Sequence, residues 1–197
     1  NYTLEKDIYF FNETTLRLNY TLTNHATSDF EFIWAAHMMI NIEEGTKLVV
    51  PDECKQVISV LSNSGRPFGE ISDWPYLKDN QGKVYNGSVG RPGEVKGFEK
   101  FYFNNKLEDG WCELVYPDDK KKLKISFPAL TVPYLGFLMN ENGWTQPGWE
   151  HLYNIFIEPC TVCYDRPDVA KKYGQVSKIG GNEKLQWHID ISLQVKF

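Results

Sequence analysis

Alternation of apolar and polar residues recurs along the chain and is typical of half-buried β-strands. In residues 15–23, leucine and tyrosine at even positions alternate with threonine, arginine and asparagine at odd positions. Residues 122–127 and 185–197 repeat the pattern. Because successive side chains of a strand point to opposite faces, these segments predict strands with one buried and one solvated face. Such strands are typical of antiparallel sheets.

Other apolar and aromatic runs predict further strands, at residues 8–11, 31–40, 47–50, 100–104, 112–116, 134–140 and 153–158. Turn-forming residues separate them, for example at 117–119 and 142–143. One short helix is predicted over 167–173, stopped by Gly174. Residues 62–98 hold no period and predict a long, loop-rich excursion. The whole pattern predicts an all-β fold, an antiparallel β-sandwich in one domain over residues 1–197.

Composition and charge narrow the classes of partner. A net charge of -5 argues against nucleic acid and anionic membrane, and no apolar run approaches the ~18 residues of a membrane span. Aromatic residues make up 15%, which suits strands and also sites where a flat ring stacks on a sugar. Because no membrane span is predicted, we expect cytoplasm as the default compartment. The oligomeric state stays open, with a homodimer as one option.

The four cysteines do not predict a metal site. Cys160 and Cys163 form a lone CxxC, and no second pair of ligands follows at the spacing that zinc needs. Four cysteines are also too few for a disulfide scaffold in a chain of 197 residues. We expect free thiols and no metal.

His37 is the first candidate for chemistry, because it interrupts the almost wholly apolar segment 32–41. An imidazole half-buried on a strand can give or take a proton near neutral pH. The plainer interpretation is a core histidine with one satisfied hydrogen bond, and residue type alone favours that interpretation.

Glu158 is the second candidate. It ends the hydrophobic segment 153–158 and precedes Pro159, which we expect to stop the pairing of the strand. A carboxylate that is partly removed from water at a strand end is a candidate general base. A surface glutamate at a strand end is the equally simple alternative.

Asn140 and Trp144 flank the Asn142-Gly143 turn, and Trp149 follows closely. A tryptophan on a loop can form a platform for a sugar ring, or it can cover the edge of a core. An asparagine amide both donates and accepts hydrogen bonds, as sugar hydroxyls require.

Three segments in this order resemble the later part of aldose 1-epimerases, the galactose mutarotase family: residues 34–51 with Trp34-Ala-Ala-His37, residues 99–144, and residues 153–161 with Glu158-Pro159. The resemblance covers most of residues 30–197. It implies the family's β-supersandwich, without its N-terminal sheet region. It also implies that His37 is the acid and Glu158 the base in interconverting the anomers of a monosaccharide or other small carbohydrate, with no cofactor. The turn with Asn140 and Trp144 resembles the family's loop that leads to the glutamate, and we expect these two residues to contact the substrate.

The resemblance leaves gaps. The family's N-terminal arginine and second histidine have no counterpart in this sequence, and Asp73 is the nearest match to its middle aspartate. Two other functions therefore stay open: a non-catalytic carbohydrate-binding or accessory domain of a larger sugar-acting protein, and an interaction sandwich without a sugar site. The enzyme hypothesis requires the side chains of His37 and Glu158 to lie within about 10 Å of each other, since both must reach one ring.

Overall fold

A computed structural model describes residues 1–79, 81–117, 121–145, 147–148 and 152–195. This part of the chain forms sixteen strands and one helix. The elements are β1 (Tyr2–Asn12), β2 (Thr15–Asn24), β3 (Phe30–Phe32), β4 (Met38–Asn41), β5 (Lys47–Val49), β6 (Gln56–Ser62), β7 (Ile71–Asp73), β8 (Tyr76–Lys78), β9 (Val84–Asn86), β10 (Gly97–Phe103), β11 (Trp111–Val115), β12 (Lys121–Ser126), β13 (Tyr134–Glu141), β14 (Tyr153–Cys160), α1 (Pro167–Lys172), β15 (Ser177–Ile179) and β16 (Lys184–Val195).

Two six-stranded antiparallel sheets pack face to face. The first sheet has the order β1-β2-β16-β12-β11-β5, and the second has the order β4-β14-β13-β10-β6-β7. The core between them joins residues such as Leu18, Ile125 and Trp187 of the first sheet to Phe101 and Phe137 of the second. The predicted all-β antiparallel sandwich is confirmed.

The alternating segments fold as their pattern predicts. In β16, Trp187 and Ile189 are buried, whereas Gln186 before them is exposed and His188 between them is half-buried. The strand pairs with β2 and β12 on either side. The helix α1 starts at Pro167, where a missing N–H is harmless, and ends just before Gly174, whose φ of +67° suits glycine. Three predictions concern residues outside the described ranges: the turn at 118–119, Trp149 and the last two residues of the final strand.

The segment 62–98 is more ordered than its sequence suggests. It contributes the end of β6, the short strands β7, β8 and β9, and the start of β10. Trp74 from this segment packs edge-on against Phe103 and Phe137, so the excursion covers one end of the core. The strand β6 was not predicted, because its apolar run is short and lacks a clear period.

The predicted strand at 31–40 is two strands instead of one. Its first part, β3, pairs with β15, and its second part, β4, pairs with β14 of the second sheet. Between them, residues 33–37 make a single bridge, Ala35 to Cys160. In the described ranges, no helix is long and apolar enough to cross a membrane.

Candidate functional site

The second sheet carries an unusual set of polar residues on its outer face, the face turned away from the core. Tyr102, Gly136 and Glu158 lie side by side there, on β10, β13 and β14. Their neighbours along the strands, such as Phe101, Phe137 and Ile157, face the core. The period of two therefore places Glu158 on the face that the first sheet does not cover.

Glu158 is buried although it belongs to this outer face. Its side chain is 1% exposed, and its two oxygens have different surroundings. Oε2 lies 2.7 Å from Lys100 Nζ and accepts a long hydrogen bond of 3.4 Å from Tyr102 Oη. Oε1 is buried and has no hydrogen-bond partner within the described structure. A buried carboxylate oxygen without a hydrogen bond costs free energy, so Oε1 is free to bond an incoming group.

The expectation that Pro159 stops strand pairing is wrong. Pro159 pairs with Leu135, and β14 continues to Cys160. The carbonyl of Pro159 accepts a hydrogen bond of 2.9 Å from the Ala36 N–H. In an antiparallel strand the N and C=O of one residue point the same way, so the donor that proline lacks would face residues 33–37. This missing donor explains why pairing is interrupted there and not along β13.

His37 lies in that interrupted segment, opposite Glu158. Ala35 bridges Cys160, Met38 pairs with Ile157, and the register between them brings His37 to Glu158. The distance from His37 Nε2 to Glu158 Oε1 is 3.5 Å, and the ring packs 4.6 Å from the ring of Phe156. The side chain is 61% exposed, so the expectation of a half-buried histidine on a strand is wrong. Because His37 is the cross-strand neighbour of Glu158, its side chain lies on the same outer face of the sheet.

Lys100, Tyr102 and Asp165 complete the network around Glu158. Asp165 Oδ1 accepts from Lys100 at 2.7 Å and from Tyr102 at 2.5 Å. Burial disfavours the charged form of Lys100, but Glu158 and Asp165 outweigh it and raise the pKa of the ammonium. Burial, followed by the nearby acidic groups, raises the pKa of the Tyr102 phenol well above its usual value. The network therefore presents one cation between two carboxyl groups, with a neutral phenol beside them.

Gly136 makes the arrangement possible. It lies between Tyr102 and Glu158, and a Cβ on it would overlap the Tyr102 ring. The ring therefore occupies the space above residue 136. Any side chain at this position would push the phenol away from Asp165 and Glu158.

Asn140 and Trp144 lie on the outer face, but not beside Glu158. Asn140 pairs with Asn154, which is four residues from Glu158 and thus about 13 Å along β14. The Asn140 amide is fully buried and holds the turn, accepting from the Gly143 and Trp144 N–H groups and donating to the Trp144 carbonyl. The Trp144 ring is 40% exposed and stacks on Phe98. Trp144 is thus partly exposed, whereas the Asn140 amide is used within the turn.

Asp73 lies at the opposite edge of the second sheet. It ends the edge strand β7 and accepts a hydrogen bond of 3.0 Å from Gln56. Four strand spacings, or about 19 Å, separate β7 from β14. The structure thus brings His37 and Glu158 together and leaves Asp73 far from both.

An apolar cavity of about 320 Å³ borders the network on its other side. Asp165 lines it together with the aromatic rings of Phe68 and Tyr164. Its walls come from β6, the loop after β6, the segment that leads into α1, and α1 itself. The surroundings of Asp165 therefore have room for a small group.

The sequence alone did not single out Lys100, Tyr102, Asp165 or Gly136. A signal was present in the segment Glu99-Lys100, where two charges lie between Phe98 and Phe101 at the start of the strand predicted over 100–104. Charges inside an aromatic strand need partners when they are buried. Which partners they find depends on contacts between distant segments, and no local pattern contains that information.

The described residues hold no group of three or more His, Cys, Asp or Glu side chains arranged to hold a metal. All four cysteines are free and buried. Burial raises the pKa of Cys54 to about 12 and that of Cys160 well above its usual value, so these thiols stay protonated near neutral pH.

No protein-family profile and no curated protein matches the chain. The chain does match solved structures. The chain is similar to a galactose mutarotase-like protein from Lactobacillus casei, with a TM-score of 0.65 and 17% identity over 98% of this chain and 63% of that one. It is also similar to a Klebsiella pneumoniae protein provisionally named an aldose 1-epimerase, with a TM-score of 0.64 and 16% identity over 98% of this chain and 50% of that one.

The same fold also occurs inside a longer protein. A TPR-domain containing protein from Parabacteroides distasonis matches 98% of this chain with a TM-score of 0.67 and 10% identity, over 30% of its own length. This chain spans between 50% and 63% of the first two matched structures. Identities this low establish architecture and not activity. The chain has a galactose mutarotase-like fold, as the order of its sequence motifs implied.

Proposed function

We propose that the outer face of the second sheet binds an aldose and interconverts its anomers by acid–base ring opening, in the manner of an aldose 1-epimerase. The observation that carries the proposal is the 3.5 Å separation of His37 Nε2 from Glu158 Oε1, an oxygen without a hydrogen-bond partner. The C1 hydroxyl and the ring oxygen of an aldose are both bonded to C1. An acid and a base that act on them must therefore lie close together.

In the proposed reaction, Glu158 Oε1 removes the proton of the C1 hydroxyl while His37 protonates the ring oxygen, so the C1–O5 bond breaks. Rotation about C1–C2 turns the aldehyde, and the ring closes on its other face with the two proton transfers reversed. The His37 ring is mostly exposed and can move to admit the sugar, whereas Glu158 is fixed by burial. These steps need positioning and proton transfer alone.

Polarimetry on freshly dissolved α-galactose or α-glucose tests the proposal. We expect the wild-type chain to accelerate mutarotation, and Glu158→Gln and His37→Asn each to lower the catalysed rate by about 10²–10⁴-fold, the usual contribution of a general acid or base. Glu5→Gln, on the exposed strand β1, is the matched control and keeps the wild-type rate. Acceleration that survives Glu158→Gln contradicts the proposal.

A non-catalytic carbohydrate-binding domain is the second candidate. The 2.7 Å ion pair between Lys100 and Glu158 favours the binding domain, because a carboxylate paired with a cation is a weaker base. Calorimetry separates the two functions. Sugar binding without acceleration supports the binding domain, binding with acceleration supports the epimerase, and no binding contradicts both.

A further inference from the structure

The ammonium of Lys100 contacts both carboxylates of the network. It extends from β10 on the outer face, and its side chain is 10% exposed. Its Nζ lies 2.7 Å from Glu158 Oε2 and 2.7 Å from Asp165 Oδ1. The two carboxylates thus lie no more than about 5.4 Å apart, the sum of these distances, and share one positive charge.

This geometry gives the two oxygens of Glu158 different roles. Oε2 is occupied by Lys100 and, more weakly, by Tyr102, whereas Oε1 faces His37 without a hydrogen bond. A buried carboxylate needs a compensating charge to stay ionised. Because Lys100 supplies this charge at Oε2, the other oxygen, Oε1, stays free to accept a proton.

We propose that Lys100 is a positioning residue that pairs with Oε2 of Glu158 and thereby leaves Oε1 as the oxygen that accepts the proton of the sugar hydroxyl. This inference rests on the proposed function for its catalytic part. The ion pair itself is a property of the chain whether or not it is an enzyme.

Other groups around Glu158 modify the effect of Lys100 on this carboxylate. Tyr102 faces it from β10, Cys160 lies on its own strand, His37 precedes β4, and Asp165 follows β14. Burial raises the pKa values of Tyr102 and Cys160, so both stay neutral near neutral pH. Asp165 competes with Glu158 for the Lys100 ammonium, since both lie 2.7 Å from its Nζ. Lys100 and Asp165 are therefore expected to act in opposite directions.

A titration by ¹³C NMR, observed at the side-chain carboxyl of Glu158 in the full chain, tests the inference without an assay of activity. Lys100→Met is expected to move the pH midpoint of this signal upward by about one unit or more, because it removes a cation in contact. Asp165→Asn is expected to move it downward. Lys100→Arg keeps the charge and should stay near wild type. Lys184→Met, at the exposed first position of β16, is the control for loss of a lysine.

The pH dependence of kcat/KM for mutarotation gives the second measurement. Its acid limb reports the ionisation of the base and should move in the same directions, upward for Lys100→Met and downward for Asp165→Asn. If Lys100→Met does not fold, Asp165→Asn still decides, since the Asp165 side chain is 44% exposed and tolerates replacement.

Midpoints that stay at the wild-type value in both variants, or that move in the same direction, overturn the inference. If wild type fails to accelerate mutarotation while the NMR midpoints move in opposite directions, the proposed function fails and the effect of Lys100 on Glu158 stands. The two failures are therefore distinguishable.

Discussion

The two faces of the second sheet each hold buried carboxylates, and the two sets are bonded differently. On the core face, Glu99 Oε1 accepts from Ser62 and Ser64, and its Oε2 accepts from Tyr85. Glu141 accepts from the Arg91 backbone N–H at 2.7 Å through one oxygen and from Arg91 Nε at 2.6 Å through the other. Each carboxylate oxygen of this core-face cluster has a partner.

On the outer face, by contrast, Glu158 has one bonded oxygen and one without a hydrogen bond within the described structure. The core-face cluster ties the segment 62–98 to the sheet, because Tyr85 and Arg91 both belong to that segment. A fully bonded buried carboxylate anchors a loop and has nothing left to offer a ligand. Glu158 keeps a free oxygen, and this difference separates the candidate reactive group from the structural ones.

The largest effect is expected on the structural side of this comparison. In Glu141→Gln, the amide places a donor against an Arg91 donor and leaves the Arg91 charge without its partner. We expect the free energy of unfolding to fall by about 3–5 kcal/mol, as for other broken buried ion pairs. Urea unfolding measures it.

The matched control is Glu43→Gln, whose side chain is 59% exposed and 3.5 Å from Lys121. Its loss should be about 0–1 kcal/mol. Equal losses in Glu43→Gln and Glu141→Gln would mean that the core-face cluster does not anchor the segment 62–98.

Gly136→Ala tests the packing of the outer face. Its Cβ overlaps the Tyr102 ring, so the phenol must leave Asp165 and Glu158 or the strand must shift. We expect a loss of about 1–3 kcal/mol in the free energy of unfolding, typical of overpacking, together with a lower mutarotation rate. Gly93→Ala, at a position with open space around the added Cβ, is the control. A stability and a rate equal to wild type would show that Tyr102 has no role at the site.

Glu158→Gln should change stability little. Its Oε1 has no hydrogen bond to lose, and Lys100 keeps Asp165 as a partner. We expect the free energy of unfolding in urea to stay within about 1 kcal/mol of wild type, or to rise, as often happens when a reactive group is removed. A loss as large as that of Glu141→Gln would place Glu158 among the structural carboxylates and erase the comparison.

The smallest expected effect is a loss of stability at alkaline pH, to which both faces of the sheet should contribute. Burial raises the pKa values of Tyr85 on the core face and Tyr102 on the outer face, in both cases with added acidic neighbours. A raised pKa of the folded state means stability that is intact below the unfolded value of about 10 and is lost as the pH rises beyond it. Urea unfolding between pH 9 and pH 11 should show this loss, and either Tyr85→Phe or Tyr102→Phe should make it shallower. An unchanged slope in Tyr102→Phe would indicate that water reaches this phenol.

Sequence patterns predicted the sandwich because alternation is local. The strands β2, β12 and β16 bury one face and expose the other to water. Successive residues must therefore alternate between apolar and polar, and this alternation is visible in the sequence. The same argument failed at 31–40, where the donor missing at Pro159, far along the chain, interrupts pairing. It also missed the order in 62–98, which depends on Glu99 and Glu141 in other strands.

The candidate site was predictable in part. The motifs around His37 and Glu158 pointed to two groups that the fold does place in contact. Their exposures were not predictable, since a strand interruption decides one and the covering segment after β14 decides the other. Lys100 and Asp165 were missed because their pairing joins residues that are 65 positions apart. Asp73 is the opposite case: its residue type suits a sugar site, but the strand order places it at the far edge of the sheet.

A crystal structure of the wild-type chain with bound galactose tests the central claim most directly. The account predicts that the C1 hydroxyl lies within about 2.6–3.2 Å of Glu158 Oε1 and that the ring oxygen faces His37 Nε2, with Lys100 still on Oε2. Galactose bound elsewhere, for example on the Trp144 ring, with Glu158 Oε1 still unpaired, would contradict it.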